Sequence, residues 1–397
     1  MHYRTIALSH YLTMQRIGID FTSAVRERAG IGRYARELIR ALARLDRENR
    51  YVLLVPRDAH AELLRFDWSP NFKIVRAPLT ERYLAALWHK FRVPLFVEMF
   101  TGALDVFYAP GFLLAPTRAR RALVTIHDLS YVRLPECFPA PLLTYLNRQV
   151  PHALKHADLI LADADSTRRD VNEVYGVPLE KIKTLYSGVD PRFNPNVSPE
   201  SRARVRDLTR GKPYLLSVST IQPRKNYARL IEAFSRIANS ELQITNSQFL
   251  IRDLQLVISG ARGWMFDDVF QTVERLNLRE RVIFPDFVSD DDLPALYAGA
   301  TLFVYPSLYE GFGLPVAEAL ACGAPVVCSN ASSLPEVAGD AALYFDPRDV
   351  DALANAMHRA LADESLRNDL RARGFAQAQK FSWEKAAREL LEYLIRE

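Results

Sequence analysis

Short apolar runs bounded by turn formers alternate with amphipathic helical stretches along the whole chain, and they do so in two separate series. The first series places candidate strands at 17–21, 51–55, 106–108, 122–126 and 159–161, the second at 214–218, 254–259, 282–284, 302–304 and 325–328. A chain that interleaves strands with helices folds into parallel sheets covered by helices on both faces. Two such series in 397 residues match the size of two α/β domains, each able to bury its own core. Between them, Pro191-Arg-Phe-Asn-Pro-Asn-Val-Ser-Pro199 is rich in turn formers and follows neither period, which places the linker there. The expectation is a domain over 1–195, a second over 196–383, and a terminal amphipathic helix over 384–397.

The segment from Tyr305 to Ser329 is the most informative about chemistry. After the apolar run ending at Tyr305, Gly311 and Gly313 open a tight turn, and Pro315 suits a first helical turn, where its missing N–H costs nothing. Gly323 closes the helix before the next strand. Glu310 then lies in the loop and Glu318 just past the first turn, so both can face a pocket at the carboxyl end of the strand, where helix N–H groups attract anions. A simpler role is open to Glu318, because a Glu early in a helix complements the macrodipole by about 0.3–1 kcal/mol.

Three further loops follow candidate strands. Ser219-Thr-Ile-Gln-Pro-Arg-Lys-Asn226 leads into a helix for which Asn226 is a suitable N-cap. Arg224 and Lys225 would then stand at a helix N-terminus, where cations oppose the dipole; a bound diphosphate reverses that penalty, while plain solvation is the alternative. His127-Asp128-Leu129 follows the strand ending at Ile126, and Asp128 is expected to orient local backbone. Gly30-Ile-Gly32 opens the first helix, but Ala35 stands where a dinucleotide fingerprint would carry its third glycine.

Residues 302–347, with Glu310 and Glu318, the run Ser332-Ser-Leu-Pro-Glu336-Val-Ala-Gly-Asp340, and Asp346-Pro347, resemble the signature of the retaining nucleotide-sugar glycosyltransferases of family 4, especially bacterial mannosyltransferase-like members. The resemblance implies the GT-B fold: two Rossmann-like parallel-sheet domains facing a cleft, with the C-terminal helix crossing back to the N-terminal domain. It also implies roles. Arg224, Lys225 and the backbone around Gly311, Phe312, Gly313 and Leu314 would hold the donor diphosphate, and Glu318 the ribose hydroxyls. Glu310 and His127 would lie beside the transferred hexose, Gly30 and Gly32 near sugar and acceptor, Asp190 by the cleft, and Phe287 and Val288 at the nucleobase. Ser219 and Thr220 replace the Gly and Arg of many relatives, so Arg224 would take over that phosphate contact, and Asp286 stands where relatives often carry Gly. Such enzymes need no metal and no cofactor beyond the donor substrate. The implied donor is GDP-mannose and the implied acceptor a glycan or lipid-linked saccharide of cell-surface polysaccharide synthesis.

The net charge of +4 combines +8 over residues 1–195 (28 Lys/Arg, 20 Asp/Glu) with −4 over 196–397 (23 and 27). Arg33, Arg36, Arg40, Arg44 and Arg47 recur at helical spacing opposite an apolar stripe. That face is either solvated or suited to an anionic membrane surface; without an aromatic stacking platform it does not suggest nucleic acid. Three scattered cysteines argue against a disulfide framework. No secretion signal or membrane-spanning run is evident, so the expected location is cytoplasmic, with peripheral contact at the inner face of the plasma membrane. Residues 1–13, before a possible alternative start at Met14, are expected to be peripheral, and 239–252 to be a surface insertion. Two other classes stay open: a dinucleotide-dependent oxidoreductase, and a non-catalytic protein that binds nucleotides or sugars.

Overall fold

The computed structural model describes residues 14–27, 30–238, 251–286 and 288–396. Segment 1–13 and nearly all of the expected insertion lie outside the described residues. Thirteen strands occur among the described residues: β1 (Arg16–Asp20), β2 (Arg50–Val55), β3 (Phe72–Arg76), β4 (Val106–Ala109), β5 (Arg121–Ile126), β6 (Leu159–Ala162), β7 (Ile182–Thr184), β8 (Tyr214–Val218), β9 (Gln255–Ser259), β10 (Val282–Ile283), β11 (Leu302–Tyr305), β12 (Val326–Ser329) and β13 (Ala342–Phe345). They form a seven-stranded sheet in the order β3-β2-β1-β4-β5-β6-β7 and a six-stranded sheet in the order β10-β9-β8-β11-β12-β13. Strand neighbours run parallel, in registers such as Ile17 opposite Tyr51 and Val327 opposite Leu343.

The ten strands expected from apolar runs are present, with no end shifted by more than one residue. Missing from the sequence reading were β3, β7 and β13, and each lies at a sheet edge. Edge strands are short and carry charged side chains that discourage further pairing. The segments Phe-Lys-Ile-Val-Arg and Ile-Lys-Thr show why an apolar-run criterion passes over β3 and β7; β13, Ala-Leu-Tyr-Phe, carries no charge.

The chain forms two compact units. One comprises Met1–Thr125, Lys155–Leu159 and Ala387–Glu397. In it Ile17, Ile19, Leu53 and Phe107 are fully buried, and the helix Ile31–Leu45 adds Leu38, Ile39 and Leu42. The terminal helix, Trp383–Ile395, begins in the other unit and ends in this one, where Arg121 Nη2 donates to the Tyr393 carbonyl at 3.1 Å.

The arginine face of the first helix differs from the expected continuous basic surface. Arg36 is buried and donates to the Ala24 carbonyl at 2.7 Å. Arg40 pairs with Glu37 at 3.1 Å, and Arg40 and Arg44 lie over the Phe66 ring at 5.5 and 5.2 Å. Only Arg44 and Arg47 of the five are exposed. Guanidinium groups serve here as packing and hydrogen-bonding groups, which helical periodicity does not reveal.

The other unit comprises Ile126–Leu154 and Ile160–Ala386. Its six-stranded sheet is apolar on both faces, as a helix-covered parallel sheet requires. The two-residue strand period sorts Phe303 and Tyr305 into one core with Leu216 and Val257, and Leu302 and Val304 into the other with Leu215 and Leu256.

Candidate active site

From β8 the six-stranded sheet grows outward in both directions: β9 lies on one side, β11 and β12 on the other. The loops leaving the carboxyl ends of β8 and β11 therefore diverge, which opens the crevice where parallel sheets bind ligands. Two hydrogen bonds join these loops, from Leu308 N to the Arg224 carbonyl at 2.9 Å and from Asn226 Nδ2 to the Pro306 carbonyl at 3.0 Å.

Asn226 is not the side-chain cap expected. It adopts a left-handed conformation (φ 63°), its amide also donates to the Pro347 carbonyl at 2.7 Å, and its Oδ1 accepts from Arg229 at 2.8 Å. This turn directs Arg224 and Lys225 inward, and neither is solvated. Lys225 Nζ lies 2.5 Å from Glu310 Oε1 and donates to the Tyr305 hydroxyl at 3.0 Å. Arg224 Nη1 lies 3.1 Å from Glu310 Oε2 and donates to the Tyr309 carbonyl at 2.6 Å, while Nη2 is 4.0 Å from Asp128. Arg224 Nε is buried without a hydrogen-bond partner among the described residues.

Electrostatics follow from this geometry. Burial alone would push the Glu310 carboxyl up, but Lys225 and Arg224 outweigh it and hold its pKa at about 2. Burial, aided by Arg224 and opposed by Glu310, lowers Lys225 to about 8. Arg224 shifts upward, because Glu310 and Asp128 outweigh its own desolvation. The cluster thus holds two cations against one carboxylate, with Asp128 at its edge.

Serines fix the loop that carries Glu310. Ser332 Oγ accepts from Glu310 N at 2.7 Å, and Ser333 Oγ donates to the carbonyls of Glu310 at 3.0 Å and Phe312 at 2.8 Å. At Gly311 a Cβ would come within 1.9 Å of the His127 carbonyl oxygen, so only glycine permits this approach. Gly313, at φ 99°, turns the chain into the helix Leu314–Ala321. Phe312 points into the apolar core, with ring centroids 5.2 Å from Phe381 and 6.3 Å from Tyr186, leaving its backbone to the site. Glu318 is buried on that helix and accepts from the Tyr297 hydroxyl at 3.0 Å.

His127 is buried, with Nδ1 2.7 Å from Asp163 Oδ2. Asp128 shapes its own turn, as expected: Oδ1 accepts from Ser130 N at 2.9 Å. Asp190 also acts locally, accepting from Arg192 N and pairing with its guanidinium, both at 2.9 Å. Val288 is half-buried against the sheet core, and Phe287 lies outside the described residues. Asp286 adopts φ 53°, which accounts for glycine being acceptable there. Gly30 and Gly32 belong to the other unit, at the start of the helix Ile31–Leu45; a Cβ on Gly32 would lie 2.2 Å from the Glu27 carbonyl. Sequence reasoning did not assign Asp163, Ser332 or Ser333; the adjacent serines before Pro335 were the available signal.

Two Rossmann-like parallel sheets, one with a cation–carboxylate cluster at its point of strand reversal, define the GT-B class of group transferases. A family model for glycosyl transferases group 1 matches residues 200–377, and one for glycosyltransferase family 4 matches 28–193. The O-antigen chain mannosyltransferase B of Escherichia coli is 35% identical over 376 residues, covering 91% of this chain and 94% of that protein. The serotype-specific mannosyltransferase WbdA of Escherichia coli is 35% identical over 257 residues, 64% of this chain and 30% of that protein. Sucrose-phosphate synthase from Thermosynechococcus elongatus has the same fold, with a TM-score of 0.73 at 21% identity over 96% of this chain and 98% of that one. So does WaaG, a glycosyltransferase involved in lipopolysaccharide biosynthesis, with a TM-score of 0.69 at 17% identity over 96% and 99%. The chain belongs to the family 4 glycosyltransferases of the mannosyltransferase type, and it is a hexosyltransferase.

Proposed function

We propose that this enzyme transfers mannose from GDP-mannose, with retention of anomeric configuration, to a glycan or lipid-linked saccharide during cell-surface polysaccharide synthesis. The observation that carries this reading is the buried cluster of Arg224, Lys225 and Glu310 at the divergence of β8 and β11. Cleavage of a nucleotide sugar gathers negative charge on the diphosphate and positive character on the sugar ring, and pre-set groups of opposite sign stabilise both. Arg224, Lys225 and the N–H groups opening the helix Leu314–Ala321 meet the diphosphate, so this reading assigns its charge to protein groups and not to a metal ion. Glu318 accepts hydrogen bonds from the ribose. Glu310, held ionised between the two cations, and His127 meet the hexose; Gly30 and Gly32 serve sugar and acceptor, Asp190 is a further substrate-binding residue, and Val288 and Phe287 receive the nucleobase.

The choice of mannose rests on the Escherichia coli relative named for mannosyl transfer, which spans nearly the same length. Among the described residues no helix is long and apolar enough to cross a membrane. We place the enzyme in the cytoplasm, touching the anionic inner face of the plasma membrane, and co-sedimentation with anionic vesicles at low and high salt tests that part. For the donor, the test is a panel of GDP- and UDP-sugars read by thermal stabilisation and by product formation on a mannosylated acceptor. Stabilisation and turnover with GDP-mannose are expected; turnover only with a UDP-sugar would overturn the donor assignment, and an inverted product would overturn retention.

A further inference from the structure

Asp163 follows β6 directly and is buried between Ala162 and Ala164, both fully buried. Its Oδ2 lies 2.7 Å from His127 Nδ1, and its Oδ1 is buried with no hydrogen-bond partner among the described residues. A buried carboxylate with one bare oxygen is costly unless a specific cationic or N–H partner faces it, and the imidazole is that partner here. His127 is fixed from behind as well: Thr167 Oγ1 donates to its carbonyl at 3.3 Å and reaches the Gly311 carbonyl at 3.5 Å. The His127 backbone is therefore tied to the loop that carries Glu310, while Asp163 holds the ring.

We propose that Asp163 is a positioning residue for His127: its carboxylate accepts the Nδ1 proton and thereby fixes the tautomer and ring plane of the imidazole that meets the transferred sugar. Burial pushes the Asp163 carboxyl up and His127 counters that shift; in the ionised form that this proposal assigns to it, Asp163 can only accept, which puts the proton on Nδ1, and the hydrogen bond at one ring nitrogen dictates what the other can do. The negative charge also strengthens the imidazole as a partner for positive character developing on the sugar ring. This inference rests on the reading that His127 lies at the hexose.

The test is a double-mutant cycle with Asp163→Asn and His127→Ala, assayed with GDP-mannose, together with ring 15N NMR of histidine-labelled protein. Asp163→Asn is expected to lower kcat by about tenfold or more while leaving donor KM nearly unchanged, by analogy with losses of carboxylates that orient ligating histidines. It is also expected to shift the His127 15N resonances to a different tautomer balance, and to have almost no further effect once His127 is alanine. If Asp163→Asn does not fold, Asp163→Ser takes its place in the cycle. Full turnover in His127→Ala would reject the placement of His127 at the sugar. Impaired His127→Ala combined with wild-type kcat and unshifted 15N resonances in the Asp163 variant would reject this inference alone, as would equal losses from the Asp163 substitution in both backgrounds.

Discussion

Replacing Glu310 by glutamine keeps the shape of the site and removes the one anion that Lys225 and Arg224 share, at 2.5 and 3.1 Å. Both cations have side chains about a tenth exposed, so water cannot substitute for the lost charge. Leaving such groups uncompensated costs about 3–5 kcal/mol, or about 6–20 °C in Tm for a unit of this size. The loss also has a definite pH dependence. Lys225 has a pKa of about 8 with Glu310 in place, and it drops further when the carboxylate is gone, while the unfolded chain keeps its proton up to about pH 10.4. Between the variant's folded pKa and about 8, the unfolded variant binds a proton that the folded variant has shed. The variant therefore gains about 1.4 kcal/mol per pH unit in that window, whereas the wild type stays level until pH passes 8. Urea unfolding of both proteins from pH 6 to 9 should show a gap that narrows as pH rises. A gap below about 1 kcal/mol at pH 6, or one equally wide at pH 6 and 9, would refute the charge argument.

Three other outcomes follow from the same geometry. Lys225→Ala and Glu318→Ala should each lower kcat/KM for the donor about 10- to 100-fold while the protein stays folded, as expected for a lost charge-assisted hydrogen bond; wild-type turnover in both would reject the site. The donor KM of the wild type should rise above pH 8 as Lys225 loses its proton, approaching tenfold at pH 9, and a flat profile would show that its charge does not bind the donor. Gly311→Ala should destabilise by about 1–3 kcal/mol and lower kcat, because its Cβ would lie 1.9 Å from the His127 carbonyl; unchanged melting and turnover would contradict that close approach.

Ten of the strands and the character of the second sheet were legible because buried parallel strands are continuous apolar runs, as in Leu302–Tyr305. Glu310 and the following turn were legible for a local reason: two glycines and a proline at fixed offsets prescribe how a strand passes into a helix. The pair Arg224–Lys225 was recognised as out of place at a helix start, but the sequence did not reveal that the fold sets Glu310 between the two cations. β3 and β7 escaped notice because Lys73, Arg76 and Lys183 break the apolar pattern on which the reading depended, a reason that does not extend to the apolar β13.

By itself the sequence determined where the chain can form strands, helices and tight turns, because those choices depend on side chains within a few residues of one another. Tertiary structure alone decided which ionisable groups meet: Glu310 with Lys225 across 85 positions, and His127 with Asp163 across 36. The physical reason is that strand order in the sheets, and not distance along the chain, brings loop ends together. Once they are buried in a common low-dielectric pocket, each ionisable group takes its protonation state from its neighbours rather than from its own intrinsic chemistry.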